Sequence, residues 1–371
     1  MSTLTRKLGV GAIATLSTMA LLGGCAADPG TDDGAAPGDG DSSQGVTFPE
    51  GEIGPAEDTD ITVAIPFPDI TMYSMYEVAS AKGWYEEEGL TVEVITADNV
   101  AAAVSSGSAD IGVESAGAVI EAIRGGVEIE LLSGHYCRQN FDFATQPDID
   151  SIEDLDGTAV VLAGTAGDPA EFQRARVLAD YGWDLDTVNV EIVYPGPDSA
   201  TWREFLVNDR VSVIPFYGDD RPALEEYGAN IIIESVQNWA NDFHLAGSDW
   251  LAENPNSAVR FLRATMKALD LITAPGLGEL PENKDEVLDI YEAADFDVAD
   301  LRVQDTPWVL DGHLACPNLY VDEEAWDITI ETQSLQPLDF SENVDLGYLL
   351  KAQELLGIDN DGVTGDELNY P

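Results

Sequence analysis

The sequence predicts an α/β protein made of two successive strand–helix series, and three observations carry that prediction. From about residue 61 onward, short apolar, β-branched runs alternate with helix-patterned segments, the order that gives βαβ units and mainly parallel sheets. The runs are nearly continuous in apolar character, as strands covered by helices on both faces require. The 371 residues, 44% hydrophobic and 8% aromatic, are enough to build cores for about two domains.

Acidic side chains dominate the rest of the composition. Against 16 Lys and Arg stand 70 Asp and Glu, a net charge of −54. Nucleic-acid binding through a basic face is excluded, because that mode needs clustered cations to replace counterions. Disorder is not implied, since disordered chains are poor in the apolar and aromatic residues abundant here. Self-repulsion of this size is relieved in concentrated salt, where the screening length falls to about 3 Å, so a salt-rich, halophilic habitat is expected.

The first sixty residues read as an address and a leash. Arg6 and Lys7 supply a positive start, and residues 8–22 form a mostly apolar run too short and too rich in Gly, Ser and Thr to span a membrane. The run ends in Leu22-Gly23-Gly24-Cys25, which resembles the lipobox of bacterial lipoproteins, where the cysteine is acylated. Residues 1–24 are therefore expected to be a lipoprotein signal peptide and Cys25 to carry lipid; an ordinary secretion signal with a chance cysteine is the alternative. Residues 25–60 are rich in Gly, Pro, Asp and Ser, and are expected to be a disordered, charged tether. No later stretch reaches eighteen uninterrupted apolar residues, so no transmembrane helix is expected. With Cys25 assigned to lipid, Cys137 and Cys316 remain; in an exported domain two cysteines suggest one disulfide, two buried thiols being the alternative. Their spacing fits no zinc pattern.

The folded part can then be followed along the chain. Strands are expected at residues 61–67, 90–96, 109–113 and 128–133, with helices at 72–82, 99–106 and 115–124, stopped by Gly83, Gly107 and Gly125-Gly126. A second series begins with a short helix capped by Ser151. Strand 158–164, helix 170–181, strand "VEIVYP", helix 199–208 and strands 211–217 and 229–235 follow. "DFHLAGS" precedes a long amphipathic helix opened by Asn254-Pro255, a cap followed by proline in the first turn. Its Val259, Leu262, Met266 and Leu269 fall on one stripe. Residues 281–356 read as helical with irregular connections, the last helix lying near 346–356.

"ASAKGWYEEEGLTVEVI" (residues 79–95) and "AAAVSSGSADIGVESAGAVIEAIRGGVEIELLSG" (101–134) resemble the opening of ABC-transporter substrate-binding proteins of the nitrate/sulfonate/taurine and thiamine-precursor type. "SIEDLDGTAVVLAG" is similar to that family's start of a second lobe, "DWLAENPNSAVRFLRATMKAL" to its return to the first, and "VDLGYLLKAQELLGI" to its terminal helix. The resemblance covers roughly residues 61–358. It implies a two-lobed, type II periplasmic-binding-protein fold, each lobe a mainly parallel sheet flanked by helices, with a hinge and central cleft. Lobe I would hold residues 61–140 and 245–371, and lobe II residues 141–244. The implied activity is capture of a small nutrient outside the cytoplasm by a lipid-anchored monomer. Its partners would be an ABC permease and its ATPase, with no cofactor. Ligand would sit at strand C-terminal ends and helix starts.

The resemblance locates the cleft in loops without saying which side chains touch ligand. After the first strand come Phe67, Asp69, Thr71 and Tyr73; after "ADIGV", Glu114 and Ser115; in "GHYCRQNFDF", Tyr136 and Arg138. The second lobe offers Thr165 and Ala166, then Asp198, Ser199 and Trp202, then Phe216, Tyr217 and Asp219. For the aromatics the competing role is core packing, and for the carboxylates a solvated acid in an acidic protein. Arg138, Ser115, Ser199 and Arg203 could hold an anion. The excess of carboxylates and rings favours a planar organic or cationic nutrient, such as a pyrimidine vitamin precursor.

Other function classes fit less well. No H-E-x-x-H, G-x-S-x-G, P-loop, G-x-G-x-x-G or C-x-x-C motif occurs, and the cysteine-rich motif of the thiamine-precursor synthases is missing, so no enzyme is expected. "DNDGVTGDE" near the C-terminus is similar to an EF-hand loop, but aligning Gly362 puts Gly357 and Leu368 where oxygen ligands belong, and no metal site is expected. A ligand-sensing module without transport would have the same sequence features.

Overall fold

The first sheet is set by where the chain can bury β-branched residues on both faces. In the computed structural model, which describes residues 46–358 apart from 167, 186, 197, 218–219, 274–282, 297, 300–314 and 334, β1 (Asp60–Ile65) buries Ile61, Val63, Ala64 and Ile65. The expected signal peptide, Cys25, most of the tether and the acidic C-terminal segment lie outside the described residues. Around β1 the order is β2-β1-β3-β10-β4, with β2 (Thr91–Thr96), β3 (Ile111–Ser115), β4 (Ile129–Asn140) and β10 (Val236–Gly247). Helices α1 (Ile70–Ala81), α2 (Trp84–Glu87), α3 (Val100–Ser105) and α4 (Ala116–Arg124) connect the first four strands. Asn99 caps α3, its Oδ1 accepting from Ala102 N at 2.8 Å. Gly112 lets α3 lie directly on β3: a Cβ there would stand 2.4 Å from Val100 Cγ1.

The second sheet has the order β7-β6-β8-β5-β9: β5 (Asp142–Thr145), β6 (Ala159–Val160), β7 (Glu191–Ile192), β8 (Val213–Phe216) and β9 (Asn230–Ile233). It is flanked by α5 (Pro169–Asp180), α6 (Ser199–Val207) and α7 (Arg221–Tyr227), and it has apolar clusters of its own. After β10 come α8 (Ser248–Glu253), α9 (Pro255–Ile272), α10 (Lys284–Ala293), α11 (Glu323–Thr332), α12 (Phe340–Asn343) and α13 (Gly347–Leu356). Val259, Leu262, Met266 and Leu269 of α9 are all buried, as their stripe predicts. Phe261 from the same helix stacks between Tyr76 and Tyr85 at centroid distances of 6.0 and 5.7 Å.

Four expectations need correction. The sheets are mixed: β1 pairs in parallel with β2 and β3, whereas β10 runs antiparallel to β3 and β4, and β5 antiparallel to β8 and β9. β4 leaves the first sheet for β5 and β10 returns to it from β9, so the outgoing and returning strands run in opposite directions and pair antiparallel. The segment expected as a cleft loop at 134–143 instead continues β4 to Asn140 and enters β5 at Asp142, the first part held by β10 through the pairs Tyr136–Asp242 and Arg138–Asn238. The two passages between sheets lie side by side, with Phe141 N donating to the Ser235 carbonyl at 2.7 Å.

The third correction concerns the tether, whose last part is docked. Val46, Phe48, Ile53 and Ala56 pack on the first core, and Phe48 meets Tyr348 edge-on at 5.7 Å. Val46 N donates to Asp345 Oδ2 at 2.9 Å. The expected cap of α9, Asn254, makes no side-chain cap bond. Glu57 provides it: its Oε2 accepts from Asn256 N at 3.0 Å and Ser257 N at 3.1 Å. A carboxylate at a helix N-terminus satisfies exposed N–H groups and complements the helix dipole. Gly, Pro and Asp set the average composition of the segment, and four apolar residues decide where it packs.

Candidate ligand-binding site

Strands β1 and β3 end side by side, and the residues just beyond them converge. Asp69 caps α1, its Oδ1 accepting from Met72 N at 3.0 Å. One turn on, the buried Tyr73 meets the exposed Phe67 edge-on at 5.8 Å and stacks on His135 of β4 at 5.4 Å. His135 in turn stacks on Tyr136 at 5.4 Å. At the end of β3, Glu114 Oε1 accepts from Ser115 N at 2.8 Å and Ser115 Oγ at 3.2 Å. Between Ser115 and Tyr136, in register with both, lies Asp242 of β10.

Asp242 is 5% exposed, and its Oδ2 has no hydrogen-bond partner among the described residues. Burial, then the nearby Glu114, pushes its carboxyl up to about 7. Burial raises the Tyr73 hydroxyl as well, and Asp242, Glu114 and Asp69 add to the effect in that order; Tyr136 is raised by burial and by the same Asp242 and Asp69. The histidines are neutral. Burial, then His244, holds His135 well below its usual range, and burial lowers His244 to about 4. His244 is bonded on both sides, Nε2 to Tyr76 Oη at 2.8 Å and Nδ1 to Ser133 Oγ at 2.9 Å. The result is a cluster, or cup, of rings and carboxylates gathered at the ends of β1 and β3.

The second sheet carries a ring platform. Trp202 is buried, donates from Nε1 to the Gly196 carbonyl at 2.6 Å, and lies 6.2 Å from the ring of the exposed Tyr217. Arg174 of α5, 3% exposed, locks the pair. Its guanidinium carbon is 5.2 Å from the Trp202 ring and 5.8 Å from that of Tyr217, while Nη2 donates to Tyr217 Oη at 3.1 Å and Nη1 to the Leu162 carbonyl at 2.6 Å. Nearby, Arg203 pairs with the buried Asp220.

The structure brings Phe67, Asp69, Tyr73, Glu114, Ser115 and Tyr136 into the first cup, and Trp202 and Tyr217 into the platform. Asp198 caps α6, accepting from Ala200 N at 3.1 Å, and Ser199 begins that helix. Phe216 packs in the second core under Arg221, whose guanidinium is 5.3 Å from its ring. Thr165 and Ala166 are exposed ahead of α5. Thr71 lies in α1 and Arg138 in β4; Asp219 lies outside the described residues. Sequence reasoning missed Asp242 and Arg174. A legible signal existed for the first: a carboxylate heading the mostly apolar strand segment "DFHLAG". Arg174 had a weaker one, its spacing with the buried Val177 and Leu178 on one helix face. Among the described residues no group of three or more His, Cys, Asp or Glu is arranged to hold a metal ion.

A pH dependence follows from Asp242. Its carboxyl is raised from 3.8 to about 7 on folding, so the folded state favours the protonated form. The associated stability is complete below about pH 4 and is lost as pH rises through about 7. Asp142, raised by burial to about 6, works in the same direction. The interval for Asp242 corresponds to roughly 4 kcal/mol as a ceiling. Asp242→Asn is expected to leave stability at about pH 4 unchanged and to raise it at about pH 8. Urea unfolding of both proteins across that range measures the difference, and parallel curves would refute the assignment.

The comparisons agree on the fold. A family model described as NMT1/THI5 like matches residues 71–275. Among solved structures, a protein assigned as the periplasmic sulfonate-binding component SsuA of a sulfonate ABC transporter from Methylobacillus flagellatus is 16% identical. It covers 82% of this chain and 96% of its own, with a TM-score of 0.60. The zinc-bound ligand-binding component of an ABC-type import system from Staphylococcus aureus is 11% identical, over 80% of this chain and all of its own, with a TM-score of 0.51. The desulfurization enzyme DSZB is 13% identical, over 80% of this chain and 99% of its own, with a TM-score of 0.51. No curated protein sequence matches the chain.

Proposed function

The chain belongs to the NMT1/THI5-like family, and from that membership we propose that it is an extracytoplasmic solute-binding protein that captures a small nutrient between two lobes and hands it to the permease of an ABC importer. The observation that carries this reading is the cup at the C-terminal ends of β1 and β3, the position where open α/β sheets bind ligand. The lobes are the bodies around the two sheets; because β10 (Val236–Gly247) belongs to the first sheet, the expected boundary at 244/245 moves back to about Ser235, giving 61–140 with the chain from β10 onward, and 141–235. The paired passages at Phe141 and Ser235 form the hinge, and closure is driven by contacts that ligand makes only when the lobes meet. Sulfonates, nitrate, taurine and pyrimidine vitamin precursors are the solute classes suggested by the family resemblance.

The protein acts as a single copy, held at the outer face of the membrane by lipid on Cys25. The chain is docked on the first core from Val46 onward. Cys25→Ser is expected to move the protein from the membrane fraction to the soluble one; retention in the membrane would refute the anchor.

Thermal melts with nitrate, alkanesulfonates, taurine, pyrimidine vitamers, riboflavin and polyamines test the binding. A solute at about a hundredfold over its Kd adds roughly 2.7 kcal/mol. Melts in molar NaCl are expected to lie higher than in dilute buffer, in keeping with a salt-rich habitat. Because DSZB shares the fold, the solute recovered after denaturation is compared with the solute added. Its return unchanged marks a binding protein, and a converted product would make this chain an enzyme instead.

A further inference from the structure

The cup on the first sheet is built against a negative solute. Asp69 from the loop after β1, Glu114 at the end of β3 and Asp242 on β10 all act on the Tyr73 hydroxyl. Glu114 Oε1 is occupied by Ser115, and Asp69 Oδ1 by the first turn of α1. Asp242 differs: it is almost fully buried, and its Oδ2 meets no donor. Among the described residues no Lys or Arg pairs with Glu114 or Asp242. The two histidines bring no positive charge, since His244 uses both ring nitrogens within the core and His135 lies between Tyr73 and Tyr136.

Burying a carboxylate without a donor costs free energy unless a partner arrives. Aromatic walls add attraction for a cation and none for an anion. A sulfonate or nitrate placed here would meet three carboxylates beside the rings of Tyr73, Tyr136 and Phe67.

We propose that this cup receives the positively charged end of the solute, an organic ammonium group, with Asp242 as its ion-pairing partner, Glu114 as a second, and Tyr73, Tyr136 and Phe67 as the ring walls. The proposal rests on the solute-binding reading above. Asp242 must ionise to pair with the cation, so binding tightens as pH rises. The groups interacting with Asp242 are Glu114 from β3, Tyr73 and Tyr76 from α1 and Tyr136 from β4; Asp69 from the loop before α1 acts on Tyr73 and Tyr136, and His135 stacks on the same two rings. The tyrosines stay protonated and the histidines neutral over the range that matters.

The test is calorimetric titration of the purified mature protein with choline and spermidine, and in parallel with ethanesulfonate and methanesulfonate, which carry no ammonium group, at about pH 5.5 and about pH 8. A cation is expected to bind, more tightly at the higher pH. Asp242→Asn is expected to weaken it at least about tenfold, and its unliganded melt, no lower than wild type, shows that the variant folds. Glu114→Gln is expected to weaken it less. Binding of a sulfonate alone, untouched by Asp242→Asn, overturns the charge assignment and leaves the solute-binding reading standing. A cation bound equally well by wild type and both variants places the ammonium group elsewhere. Failure of all four probes, together with the wider set of solutes above, removes the solute-binding reading itself.

Discussion

Removing the bridge between Cys137 and Cys316 is expected to lower the stability of the folded chain by several kcal/mol and to loosen one wall of the cup. The two cysteines are bonded across a sequence separation of 179 residues. Closing a loop of that length restricts the unfolded chain by about 5 kcal/mol in the chain-entropy account, a ceiling because unfolded chains retain structure and native geometry adds its own terms. Both sulfurs are buried, so Cys137→Ala with Cys316→Ala also leaves a small cavity. The bridge bears on function through its neighbours. Cys137 directly follows His135 and Tyr136; Cys316 N donates to the His135 carbonyl at 3.0 Å, and Tyr136 forms an isolated bridge with Ala315. Gly134 completes the fit, since a Cβ there would fall 2.3 Å from Cys316 Sγ. Urea unfolding of the double variant, and of wild type under reductant, should give the same large drop in midpoint. Solute affinity should fall with it. An unchanged midpoint would show that sheet pairing alone holds the segment.

How much of this was legible in the sequence depends on whether a feature is local. The strands "ITVAIPF" and "ADIGV" and the stripe on α9 declare themselves through apolar runs and helical spacing, and they form where expected, within a residue or two. Tyr73, Glu114 and Ser115 come near one another because they lie at or just beyond the C-terminal ends of those strands. Pairing partners distant in sequence stay hidden. Residues 134–140 look like a polar loop, and only β10, about a hundred residues later, turns them into strand. Glu57 caps a helix that begins about two hundred residues further on, so a segment dominated by Gly and Asp docks. Asp242 becomes unusual only when its flanking strands bury it beside Glu114. Phe216 shows the opposite error: a ring near the cleft in sequence that packs into the core.

Glu88→Ala is expected to destabilise the protein by about 3–5 kcal/mol, an effect that the surface acids of this chain should not approach. Glu88 follows α2 directly and is 3% exposed. Its carboxylate meets Arg260 at 3.3 Å and, through Oε1, Arg263 Nε at 2.6 Å, with a second Arg263 nitrogen on Oε2 and Lys267 Nζ 4.0 Å from Oε1. The three cations sit three and four residues apart on α9, one face of one helix, and Arg260 also donates to the carbonyls of Gly54 and Glu88. In a chain with only 16 Lys and Arg, three are gathered on a single carboxylate. Deleting the acid leaves two largely buried guanidinium groups close together without a counter-charge, and that uncompensated charge, more than the lost attraction, sets the size of the effect. The contrast is Glu286, whose pair with Lys82 is exposed and whose removal should cost less than about 1 kcal/mol. Salt separates the two further. Screening in molar NaCl should erase the small Glu286 effect and leave that of Glu88, because solvent ions do not reach the buried pair. Urea unfolding of both variants at low and high salt reads this out. Equal, salt-sensitive losses at the two positions would mean that the Glu88 cluster is solvated and does not hold α2 to α9.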